Sequence, residues 1–175
     1  MLRAGACALG ATVVLLAGCS SGTSASGPGA GRPAGAAPSG PCDRATFAMH
    51  AGLAGGAVHQ LVWKPFQAGS FTSKAKGHEQ AMTTGGRAGA LASRELATAL
   101  GVVKGCPSAT TLVNALQTGV SLSASAGRQL SHGALNPATL GGANAIVTTV
   151  GSEAKALGIT VTEQVPTTAQ LNGAG

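Results

Sequence analysis

Apolar positions recur at steps of three and four along four stretches of the chain. The first runs Phe47, Ala51, Ala54, Val58, Leu61, and the second Met82, Gly85, Gly89, Ala92, Leu96, Ala99, Val103. A third follows Leu112, Leu116, Gly119, Ser123, Ala126, Leu130, and a fourth Leu140, Ala143, Val147, Val150, Ala154, Leu157. That spacing gathers each set on one face of an α-helix. Four such faces, each needing cover, predict an all-α fold, a four-helix up-down bundle. Many inward positions are Ala or Gly, so the helices are expected to pack with their backbones close together.

Local punctuation sets the expected boundaries. Asp43 has the side chain of an N-cap for the first helix, and Pro65 is expected to stop it, because its ring disfavours helical geometry in the residue before it. Gly105 and Pro107 separate the second helix from a third capped by Ser108, and Asn136-Pro137 is a cap followed by a first-turn proline for the fourth. Gly85-Gly86 and the Ser-rich run 121–125 are the weak points, where helix propensity drops by up to about 1 kcal/mol per residue and a kink is expected. After Gly158 the alternation Ile159, Val161, then Pro166, predicts a short extended C-terminal tail laid along the bundle.

Ahead of the bundle the pattern changes. Arg3 and an apolar run from Ala8 to Leu16 are too short to cross a bilayer core of about 30 Å and have the form of an export signal. The signal ends in Leu16-Ala17-Gly18-Cys19, which resembles a bacterial lipobox. The resemblance implies that residues 1–18 are a lipoprotein signal peptide and that Cys19 carries lipid, with palmitate among its acyl chains. It places the mature protein on the outer face of the cell membrane. Residues 19–41 contain nothing large enough to bury and read as a Gly/Ser/Pro/Ala tether, with an end-to-end distance of roughly 25 Å. The remaining segment, 42–175, has the length of a single helical domain.

Composition sharpens this picture. There is no Tyr, one Trp and three Phe, against 28 Gly. Cys7 would leave with the signal and Cys19 would be lipidated, so Cys42 and Cys106 remain as an exported pair expected to form a disulfide. Each lies just ahead of a helix, the first and the third, and an up-down bundle brings those two starts to the same end. Closing a loop of about 65 residues stabilises a fold by roughly 4 kcal/mol in the chain-entropy account.

Three of the four aromatic residues fall in the stretch His59 to Phe71: Trp63, Phe66 and Phe71, with Lys64 and Pro65 between them. Two accounts stand. The rings plug one end of the bundle, or they form an exposed platform flanked by Lys64, Lys74 and Lys76 for an anionic partner. Here the chain resembles exported actinobacterial proteins with a His-x-x-x-aromatic-Lys-Pro-Phe-x-Ala-Gly-x-Phe pattern and a later cysteine. The resemblance spans residues 50–106. It implies an exported helical module and transfers no catalytic residue; Gln60 and Leu61 stand where a basic residue and Tyr are frequent.

Catalytic patterns are sparse. His78-Glu79-Gln80-Ala81-Met82 lacks the second histidine of a zinc-protease helix, and there is no Gly-x-Ser-x-Gly elbow or phosphate-binding Gly-rich Lys loop. His78 and Met82 share a helical face and, with Met49, could form a soft copper site. Removing Arg3 from the 11 Lys and Arg leaves ten against five acidic residues, a net of +5. That charge suits anionic lipids or cell-wall polymers, while nucleic acid is not an expected partner of an exported protein. The sequence therefore predicts a lipid-anchored extracytoplasmic module with a binding or envelope-associated role and no enzymatic one, requiring no cofactor. The alternatives are a small metal or ligand carrier, or an enzyme without a recognisable motif.

Overall fold

The computed structural model describes residues 42–174. The expected signal peptide, Cys19 and the tether through residue 41 lie outside them. Four long helices form the bundle. Helix α1 (Arg44–Val58) continues through a π-helical turn (His59–Trp63) into the short α2 (Lys64–Gln67), followed by α3 (His78–Val103), α4 (Thr110–Ser131) and α5 (Pro137–Ala156). A short α6 (Thr168–Asn172) comes near the C-terminus.

The register follows from which glycine faces which neighbour. Gly86 and Gly89 of α3 lie against Ser131 and Gly127 of α4, Leu96 lies against Gly119, and Gly142 of α5 against Leu122 of α4. Gly55 of α1 faces Val147 of α5. Sequential helices are thus antiparallel and α5 closes the ring on α1, the up-down arrangement the four stripes predict. Between the helices, Phe47, Leu91, Leu96, Leu112, Leu116, Leu130 and Leu140 are fully buried. The glycines of α3 and α4 do not interrupt their helices. They let the two backbones meet: a Cβ on Gly89 would lie 2.6 Å from Gly127 Cα. The Ser-rich run is likewise continuous helix, with Ser123 buried.

Two boundaries agree with the sequence and two do not. Asp43 caps α1, its Oδ1 accepting from the Thr46 amide at 3.0 Å, and Asn136 caps α5, its Oδ1 accepting from Ala138 and Thr139. Pro65, in contrast, does not stop the first helix. The π turn immediately before it widens the backbone, the Lys64 amide reaching back to the His59 carbonyl, and Pro65 then occupies the first turn of α2, where a missing amide costs little. The real stop is Gly69 at φ +72°, with the amides of Gly69 and Ser70 bonded to the carbonyls of Phe66 and Pro65, a Schellman ending. Ser108 does not cap α4. It sits at φ +64°, and the helix starts after Ala109 with no side-chain cap.

At one end of the bundle Cys42 and Cys106 are joined, and the Cys42 amide donates to Val102 O at 3.3 Å. The C-terminal segment has no helix, strand or turn over residues 159–167 and crosses α1 where Gly52 and Gly56 have no side chain. The Gln164 amide donates to Gly52 O at 2.9 Å, and the glycine faces meet the backbone of Thr162 and Gln164. The segment then does what its alternation did not indicate: Thr167 and Gln170 form a capping box, α6 begins, and Arg87 and Arg94 of α3 donate to Asn172 Oδ1 and Gly173 O at 2.7 and 2.6 Å.

Candidate functional site

The start of α1, the end of α3 and the turn after α5 meet at the disulfide, and they do not fill the space between them. A shallow hollow of about 280 Å³, open to solvent, remains, lined by Leu157, Ile159 and the Cys42–Cys106 bridge over a floor of Phe47, Val102 and Val103 that is 0–2% exposed. Its walls are hydrocarbon and sulfur because the three elements bring their inward stripes to a common end. The rim is polar. Asp43 directs its carboxylate at Thr46, accepting from the amide and, at 2.7 Å, from the hydroxyl. Arg44 is exposed, and its Nη1 lies over the turn at Gly158, within 3.8 Å of where a Cβ on that residue would stand. Such a hollow is small for a ligand site but has the usual makeup of one, apolar walls with one placed polar group.

The aromatic stretch lies at the opposite end, and the structure divides it. Phe71 is 2% exposed and packs on Gly85 of α3, whose missing Cβ would come 3.1 Å from its Cζ. It is the plug. Trp63 and Phe66 are half-buried, with ring centroids 5.6 Å apart, and the indole edge faces Gly141 of α5. Lys64 is exposed and its Nζ donates to Gln60 Oε1 at 2.8 Å; Lys74 and Lys76 are exposed as well. Trp63, Lys64 and Phe66 thus share a surface from which Phe71 is withdrawn.

The sulfur and imidazole groups considered for copper are not brought together. His50 on α1 meets Glu95 on α3, which sets Met49 level with Leu96. Met82 stands about four turns farther along α3, about 20 Å away at the rise of an α-helix. His78 and Met82 do share one side of an open hollow with Glu79, Arg87 and Ser131, and Met82 is buried. Among the described residues no three His, Cys, Asp or Glu side chains converge as a metal site would require.

The buried polar pair is what sequence reasoning missed. His50 Nδ1 and Glu95 Oε2 lie 2.5 Å apart in the α1–α3 interface, with side chains 10% and 11% exposed, and Arg94 Nε is 3.7 Å from the other carboxylate oxygen. His50 Nε2 is buried without a hydrogen-bond partner. The available signal was Glu95 itself, a charged residue directly beside Leu96 on the inward stripe of α3. At the surface, His59 Nδ1 lies 2.9 Å from Glu163 and pins the C-terminal segment to the π turn.

No helix among the described residues is long and apolar enough to cross a membrane. No protein-family model, curated protein or solved structure matches this chain.

Proposed function

We propose that the protein is a lipid-anchored lipoprotein of the outer face of the cell membrane, a binding module with no reaction of its own, and that it binds at the cavity beside the disulfide. The observation that carries this is position. The hollow is lined by Cys42, which follows Cys19 by 23 residues in the sequence, so a lipid on Cys19 would join the bundle to the membrane through the end where the hollow lies. The disulfide suits an oxidising compartment. The net positive charge favours residence near anionic lipids or cell-wall polymers.

The Trp63–Phe66 surface lies along α1 from Cys42 by about 30 Å at the rise of an α-helix, at the other end of the bundle from the disulfide. Anchoring is tested by Cys19→Ser with acyl labelling and fractionation: the variant should lose label and leave the mature membrane fraction. Equal labelling and retention of the variant would refute it.

A further inference from the structure

We infer that the C-terminal segment is a strap whose hold on the bundle is set from inside it, by the Glu95 carboxylate acting through the Arg94 guanidinium. This is a conformational device of the fold and stands apart from the binding role proposed above.

Three observations carry it. Glu95 is the one buried carboxylate among the described residues, and both of its oxygens have partners. Oε2 lies 2.5 Å from His50 Nδ1 of α1, and Oε1 lies 3.7 Å from Arg94 Nε. The Arg94 side chain is half exposed, and its Nη1 donates to the Gly173 carbonyl at 2.6 Å, where α6 ends. One planar guanidinium therefore reaches from the buried pair to the end of the segment, and its rigid fork keeps the two contacts in fixed relation. Glu95 acts through Arg94 and is a positioning residue.

The second observation is how little else holds the segment. Among the described residues from 160 to 167, Gln164 alone has a backbone amide bonded to a long helix, at Gly52 O. The His59–Glu163 pair is exposed, and such pairs hold weakly. Arg87, seven residues before Arg94 on α3, supplies the other polar tie to α6 through Asn172 Oδ1.

The third is what the strap covers. Leu171 and Ala174 are partly buried against the core, and the backbone of residues 162–164 lies on the bare face of α1 at Gly52 and Gly56. Release would uncover both. Coupling between two places is reciprocal, so lifting the strap frees a carboxylate oxygen in the α1–α3 interface, and parting α1 from α3 loosens the strap.

The test is a double-mutant cycle on the full chain, read by amide exchange at Gln164 and Gly173 relative to the core amide of Leu116. Glu95→Gln should speed exchange at those two amides by about threefold, the scale of a partly exposed ion pair. In an Arg94→Gln background the same change should add nothing, because the contact it acts through is gone. In an Arg87→Gln background, where the other tie to α6 is cut, the factor should persist. Should Glu95→Gln not fold, Glu95→Asp, which draws the carboxylate back from Arg94, takes its place in the cycle. A Glu95 effect of the same size with and without Arg94 overturns the inference, as does a Glu95 variant whose strap amides exchange no faster than the wild type's.

Discussion

Two glycines in the same helix should respond oppositely to the same substitution. In α3, Gly89 faces Gly127 so closely that a Cβ would lie 2.6 Å from the Gly127 Cα and amide nitrogen and 2.9 Å from Ser123 O, whereas nothing lies within 4 Å of a Cβ on Gly101. Non-bonded carbon atoms rest about 3.5–4.0 Å apart, so Gly89→Ala must separate α3 and α4 by about 1 Å. The obstructing atoms are backbone, and no rotamer change can yield. Overpacking of this kind costs about 1–3 kcal/mol, and the absence of a yielding side chain puts Gly89→Ala at the upper end.

Against that stands a gain of about 0.5–1 kcal/mol from replacing a mid-helix glycine by alanine. The expected net is a loss of about 2 kcal/mol for Gly89→Ala and, since Gly101 lies in the last turn of α3, a gain of about 0.5 kcal/mol for Gly101→Ala. In melting temperature that is a fall of about 6–10 °C against a rise of about 2 °C for a domain of this size. Urea and thermal unfolding of both variants, followed by far-UV circular dichroism, measures the difference. A Gly89→Ala protein as stable as Gly101→Ala would refute the claim that backbone contact at Gly89–Gly127 joins the two helices.

Phe71→Ala should cost about 3–5 kcal/mol by leaving a cavity under Gly85, and Trp63→Ala about half as much, since the indole is only half-buried; denaturant titration of the two variants separates plug from surface. Glu95→Ala strands His50 in the α1–α3 interface and should cost about 3–5 kcal/mol, whereas the double replacement His50→Leu/Glu95→Leu should come within about 1 kcal/mol of the wild type; similar losses in both would contradict the pairing. Reducing the Cys42–Cys106 bridge, which spans a separation of 64 residues, should remove about 4 kcal/mol and lower the melting temperature; unreduced peptide mapping should recover the two cysteines as one linked fragment.

The fold was legible where a local rule and the global one agreed. The inward stripes, the caps at Asp43 and Asn136 and the pairing of Cys42 with Cys106 each follow from residue type and spacing, and each holds. Misreadings arose where a residue's usual local effect was absorbed by its surroundings. Pro65 ends helices when the preceding turn is tight, and a π turn is not; nothing in His59 to Trp63 announces the widening. Gly85 and Gly86 lower helix propensity in isolation, but packing on α4 requires them bare. The cavity and the His50–Glu95 contact depend on which helix faces which and at what register, which one sequence does not encode locally. Arg44 had no distinguishing neighbour in the sequence; its partner surface, Leu157 to Ile159, comes from the far end of the domain.

The C-terminal segment gives the domain an order of assembly. Residues 162–164 cover the bare face of α1 at Gly52 and Gly56, yet they follow all four long helices in the chain, so that face stays open until those residues have been made. A contact so distant in sequence raises the contact order and is slow to close. The bundle and its bridge can therefore form first, with the segment docking as a final latch through Gly52, His59, Arg87 and Arg94. Amide exchange at Gln164 should accordingly report the opening of that latch separately from the unfolding of the core.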